Sequence, residues 1–245
     1  SAAQASKAQI TVVHPDGRRE RVPASTPRAL RTDEMPRVIE DYAHAARNAK
    51  AAGFDGVEIH NANGYLLDQF LRSGTNTRTD GYGNSLAARA RLTLEVANAC
   101  ISIWGSDRVG IRLSPGGVFN DMSDANPTET FGYVLRELSK LELAYAHVTR
   151  VTAQDIAHGA TTGVGPKELR KDFKGVLITA GGFDRAQAEQ AIAEGWADAV
   201  AYGVPFLANP DLPRRLQEGL ALNTPDESTF YASGPKGYTD YPTAG

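Results

Sequence analysis

FDGVEIHNANGYLLDQFL, residues 54–71, is the stretch on which the fold reading turns. Phe54 to Ile59 reads as a short buried strand ending at His60, and a small-residue turn then carries Asn63 and Tyr65 into a helix start. His60 and Asn63 can both donate hydrogen bonds, and Tyr65 is a phenol two residues further on. Three polar groups leaving the C-terminal end of a strand are suited to polarise a carbonyl and deliver a proton. A helix-capping turn with a satisfied histidine is the plainer reading of one His beside one Asn. The residues alone leave both open.

Outward from this stretch the chain settles into a repeat. A helix opens at Thr32-Asp33-Glu34 with Pro36 in its first turn, carries the apolar stripe Ile39, Tyr42, Ala43 and Ala46, and closes near Gly53. After the strand at 54–60 come a polar loop over 72–85, a helix over 88–104, a strand over 108–114 and a helix over 127–141. A third strand spans 144–149. A Gly/Thr-rich loop and a short helix from Pro166 follow, then a strand over 175–180 and a helix capped by Asp184. A fifth strand at 197–202, a last helix over 210–218 and an aromatic tail complete the pattern. Strands alternating with helices predict a parallel sheet covered by helices. No Gly-x-Gly-x-x-Gly follows a strand, which argues against a dinucleotide-binding Rossmann domain. Residues 1–245 read as a single domain, in which 1–31 form a surface flap with a β-hairpin about Pro15-Asp16-Gly17 and a loop, and 32–245 the βα units and the aromatic tail.

The chain has 245 residues, 41% of them hydrophobic, and a net charge of −3, so it can bury a core and offers no basic footprint for nucleic acid. No apolar run is long enough to span a bilayer, and no His/Cys/carboxylate cluster has metal-ligand spacing. Cys100 stands alone on an apolar helical face with Leu92, Val96 and Ile103, as a buried thiol would in a reducing cytoplasm. His147 lies inside the third strand and reads as a core histidine.

Two further motifs carry chemistry. Gly110-Ile111-Arg112-Leu113-Ser114-Pro115 sets one arginine in an apolar strand, balanced between a buried ion pair and a cofactor contact. The last two strands end in Gly181-Gly182 and in Gly203-Val204, either two tight turns or a phosphate cradle built from backbone N–H groups.

These motifs together closely resemble the Old Yellow Enzyme family of flavin-dependent ene-reductases. The likeness runs from about Thr26 to the C-terminus and includes the loop at 72–85, Asn209-Pro210-Asp211-Leu212 and Gly237-Tyr238-Thr239-Asp240-Tyr241-Pro242. It implies a (β/α)8 TIM barrel, of which this chain holds five of the eight units. It implies FMN as cofactor and NAD(P)H as hydride donor, with a small enone-type substrate. His60 and Asn63 would hold the substrate carbonyl, Tyr65 would protonate the reduced alkene, and Tyr238 would line the substrate pocket. Arg112 would contact the pyrimidine side of the flavin, and Gly181, Gly182, Gly203 and Val204 its phosphate. The family commonly has Arg where Val204 stands, and Pro205 follows it; Arg214 or Arg215 is the expected substitute. Asn84 replaces a usual Gly, which puts buttressing by the loop in question. Because the family's first barrel strands have no counterpart here, the reading expects a second polypeptide that carries them, or a piece of a longer enzyme. The alternatives are an inactive fragment working only in a complex, and a different phosphate-binding or FMN barrel.

Overall fold

The computed structural model describes residues 9–160 and 163–245. The expected hairpin is present: β1 (Gln9–Val13) pairs antiparallel with β2 (Arg19–Pro23) about a turn in which Gly17 takes φ 81°. Residues 1–8 of the flap lie outside the described residues. Arg19 donates to the carbonyls of Phe230 and Tyr231, so the hairpin rests on the C-terminal tail.

α1 (Met35–Ala51) starts with Pro36 in its first turn and ends before Gly53, at φ 85°. It buries Met35, Val38, Ala43 and Ala46 against α3 (Leu86–Trp104). Trp104 Nε1 donates to Ala46 O at 3.0 Å, which ties the two helices near their ends. Cys100 is a free buried thiol on α3, and burial pushes it up to about 11, so it stays protonated and inert at neutral pH.

The sheet consists of β3 (Val57–Asn61), β4 (Val109–Leu113), β5 (Tyr145–Thr149), β6 (Leu177–Ala180) and β7 (Ala199–Ala201), parallel throughout and paired in chain order. The crossovers contain α2 (Leu66–Leu71) with α3, then α4 (Pro127–Ser139), then α5 (Ala153–Ala157) with α6 (Pro166–Leu169), then α7 (Arg185–Ala193); α8 (Val204–Ala208) and α9 (Leu212–Glu218) follow β7. Ile59, Ile111, Leu113, Ala146, Val148 and Leu177 share one apolar cluster with the helices. Each large side chain buried there contributes roughly 1.5–3 kcal/mol. Alternation turns Glu58, His60, Gly110, Arg112, Tyr145 and His147 to the opposite, concave face. Gly110 is required on it, since a Cβ there would lie 2.3 Å from the Tyr145 ring.

Three expectations need correction. β6 and β7 are shorter than the sequence suggests, because Asp198 leaves the ladder and bonds Leu177 through both its backbone N–H and its carboxylate. α5 and α8, of five residues each, are too short to show a helical period. The polar loop over 72–85 is not a solvated connection. Asn76 is buried and donates to the carbonyls of Phe70 and Tyr82, and Arg78 stacks on Phe70 and donates to Leu30 O. Asn84 keeps the turn by taking φ 71°, a conformation Asn tolerates, so the change from glycine leaves the buttress intact.

Candidate active site

The turn after β3 is shaped by two consecutive left-handed residues, Asn63 at φ 56° and Gly64 at φ 74°. Only glycine fits the second, where a Cβ would lie 2.7 Å from Asn120 Cβ and 2.9 Å from Phe119 O. The reversal folds Tyr65 back over His60, with ring centroids 5.0 Å apart and planes at 48°. Tyr65 is 51% exposed and begins α2 without a side-chain capping bond.

The Asn63 backbone is clamped on both sides. Its N–H donates to Ser114 Oγ at 2.8 Å, and its carbonyl accepts from Asn120 Nδ2 at 2.9 Å. Neither its carboxamide nor the His60 ring hydrogen-bonds to any described residue. The His60–Asn63–Tyr65 turn is thus a fixed backbone carrying three uncommitted polar groups, in place of the capping turn with a satisfied histidine that the residues alone allowed.

Beneath it lies an ion pair that the sequence reading missed. Asp68 and Arg72, 0% and 2% exposed, meet at 2.8 Å across one turn of α2. Asp68 also accepts from Gly64 N–H at 2.9 Å, while Arg72 donates to the carbonyls of Ser114, Pro115 and Gly117. The pair joins the β3 turn to the β4 loop. Two charges at i and i+4 in Leu66-Leu67-Asp68-Gln69-Phe70-Leu71-Arg72, a stretch otherwise apolar except for Gln69, were the available signal. Ser114 is a buried support for Asn63.

Register places Arg112 between His60 on β3 and His147 on β5. Its Nε is buried with no hydrogen-bond partner, and Arg112 forms no ion pair among the described residues. His147 is not a satisfied core histidine: Nδ1 meets Glu58 at 3.1 Å, but Nε2 is buried without a partner. For Glu58, burial opposes ionisation, yet the His147 and Tyr145 hydrogen bonds and the Arg112 charge outweigh it and hold the carboxyl below its ordinary value. Burial and this carboxylate push the Tyr145 phenol up to about 12.

Burial and the Arg112 charge lower His60 from its ordinary 6.5, so its imidazole is neutral at pH 7. Below pH 6.5 the unfolded chain takes up a proton here that the folded site refuses, so this residue's contribution makes stability rise with pH across that window. An NMR titration of the His60 ring should give a midpoint below that of a denatured reference; a midpoint above it would contradict the assigned environment.

Beyond Arg112 a cavity of ≈ 690 Å³ opens at the C-terminal ends of β5, β6 and β7, lined by Arg112, Arg150, Gly181, Gly182, Gly203 and Val204 among others. The four residues expected at a phosphate therefore line one space, together with Arg112. Gly181 at φ 127° and Gly182 at φ 67° make the first rim, and open space surrounds the Cβ positions of Gly182 and Gly203. Pro205 lies in the first turn of α8, where a missing N–H removes no helical bond. The expected substitutes for the family arginine lie elsewhere. Arg215 is buried against Asp211 at 2.7 Å and the carbonyls of Ala221 and Pro242, and Arg214 pairs with Glu218. Arg150 lines the cavity in their place. Tyr238 lies on the tail, 40% exposed, and makes no ring contact with His60 or Tyr65.

Among the described residues no group of three or more His, Cys, Asp or Glu side chains is placed to hold a metal ion, and no helix is long and apolar enough to cross a membrane.

A parallel sheet crossed over by helices, with polar side chains and a cavity gathered at its strand C-termini, defines an α/β protein of the class whose sites generally lie at that edge. The model of the NADH:flavin oxidoreductase / NADH oxidase family matches residues 1–223. The chain belongs to that family, in its Old Yellow Enzyme group. It is 50% identical over 220 residues to putative 12-oxophytodienoate reductase 3 of Oryza sativa subsp. japonica, covering 89% of this chain and 58% of that protein. It is 46% identical over 218 residues to 12-oxophytodienoate reductase 2 of Arabidopsis thaliana, again 58% of the relative's length. A morphinone reductase structure matches with a TM-score of 0.92 at 46% identity, over 100% of this chain and 65% of that one. Another, solved in complex with tetrahydroNAD, matches at 0.91. The chain thus spans under two thirds of the length of these relatives.

Proposed function

We propose that this chain carries the substrate-activating and phosphate-binding parts of an FMN-dependent, NAD(P)H-driven ene-reductase acting on α,β-unsaturated carbonyl compounds. The observation that supports the reading is the His60–Tyr65 ring contact on a turn whose Asn63 backbone is clamped, with His60 paired in register to Arg112, which lines the glycine-rimmed cavity. The residues fit FMN: the orphaned buried Nε of Arg112 suits an electron-rich ring, and the open Gly182 and Gly203 rims suit a phosphate. When bound, FMN supplies hydride transfer from a nicotinamide to the β-carbon of the alkene.

The chain's own residues do the rest. Neutral His60 and the Asn63 carboxamide donate to the substrate carbonyl oxygen and stabilise the negative charge that develops there. The Tyr65 phenol gives its proton to the α-carbon on the side where its ring overhangs His60. Arg112, whose buried Nε has no hydrogen-bond partner, would hold the electron-rich part of the ring with its positive charge.

The finer architectural part of the proposal is an eight-stranded barrel whose remaining units come from polypeptide outside this sequence. Support comes from the sheet's chain-order pairing and from β3 and β7 standing at its edges. Enone-dependent oxidation of NAD(P)H by the FMN-supplied protein tests the reading. Nicotinamide oxidation that ignores the enone would contradict it.

A further inference from the structure

The cavity has a second cation whose role follows from its hydrogen bonds. Arg150 leaves β5, and its guanidinium lies 3.7 Å from the centre of the Phe183 ring, so one flat face is stacked and the group is held in one plane. Nε donates to Gly181 O at 2.6 Å, and Nη2 donates to Gly182 O at 2.6 Å and to Gln187 Oε1 at 2.8 Å. Nη1 has no partner among the described residues, and no carboxylate lies within ion-pair distance. Asp184, whose charge acts on Arg150, spends its side-chain oxygen on the N-terminal cap of α7.

Two consequences follow. A trans peptide holds its C=O and N–H on opposite sides, so binding the Gly181 and Gly182 carbonyls turns the N–H groups of Gly182 and Phe183 away from Arg150. Neither N–H has a backbone partner of its own. Second, the guanidinium cancels the two carbonyl dipoles that would otherwise repel an anion at this rim, and adds a full charge to that of Arg112. Gly181 belongs to the same device, because a Cβ there would lie 2.8 Å from Arg150 Cγ and 2.9 Å from Arg150 O.

We propose that Arg150 is the positioning and charge-bearing residue that makes this cavity selective for a phosphate monoester, in the role that no arginine at position 204 can fill. The inference rests on the FMN reading above and assigns the phosphate end of that ligand to the β5 loop together with the two glycine rims. All of these groups lie within this chain, so the preference for a phosphorylated over an unphosphorylated flavin is a property of the chain itself.

The test is a pair of titrations on the full chain, with FMN and with riboflavin, followed by quenching of flavin fluorescence. For Arg150→Gln, which can still donate to a carbonyl but has no charge, FMN affinity should fall about tenfold or more while riboflavin affinity stays within about twofold. Arg150→Lys, which restores the charge, should recover most of the FMN affinity. Equal weakening of both flavins by Arg150→Gln would reduce Arg150 to a loop brace and overturn the proposal, as would unchanged FMN binding or a lysine variant no better than the glutamine one. If the unsubstituted chain binds FMN well but no better than riboflavin, the phosphate assignment fails and the flavin reading stands. If it binds neither, both fall.

Discussion

Tyr65→Phe should slow enone reduction by the flavin-loaded protein by about 100-fold or more, the range for loss of a positioned general acid. Oxidation of the nicotinamide should keep its rate, because that half of the cycle needs no proton at the alkene α-carbon. The substitution keeps the ring, its 5.0 Å contact with His60 and the start of α2, and removes only the hydroxyl. Stopped-flow measurement of each half-reaction separates the two. If both fall together, Tyr65 shapes the pocket and is not the acid. Asn63→Ala, which deletes one donor from a backbone clamped by Ser114 and Asn120, should reduce the same half-reaction by roughly 100–1,000-fold.

The second large effect falls on stability. Asp68→Ala leaves Arg72 buried without its counter-charge and strips Gly64 N–H of its acceptor, in the turn that holds Asn63 and Tyr65. Breaking one side of a buried pair typically costs about 3–5 kcal/mol. The urea midpoint should drop accordingly. A variant that folds in spite of this should bind substrate more weakly than the unsubstituted protein, because the turn is no longer anchored to the β4 loop. Asp68→Asn, which keeps the shape and one acceptor, should lose less. A midpoint unchanged by Asp68→Ala would show that Arg72's three carbonyl contacts suffice to hold the turn.

The alternation of strands and helices was legible because each βα unit carries its own period and its own breakers. Gly53, Asp184 and Pro127 mark ends that the structure keeps. The donors His60, Asn63 and Tyr65 were legible as residue types after a strand, and Arg112 as a charge within an apolar run. The supports were harder to see. Ser114 showed no sign of its supporting role, because a serine's partner depends on where a distant turn falls in space. Asn76 and Arg78 looked solvated because a loop's burial is decided by what folds over it, here Phe70, Tyr82 and Leu30. Arg150 gave no signal at all. It follows a strand of unremarkable composition, and its role arises only where the β5 and β6 loops meet. Arg214 and Arg215 are the neighbours of position 204 in sequence, but both are engaged elsewhere, and Arg150 reaches the cavity from two strands earlier.

The most direct measurement is a crystal structure of the chain with FMN bound. The phosphate should lie at the Gly182 and Gly203 rims within reach of the Arg150 charge, the pyrimidine edge against Arg112, and the ring face beneath His60, Asn63 and Tyr65. A flavin seated anywhere else, or one whose ring lies out of reach of Tyr65, would contradict this placement.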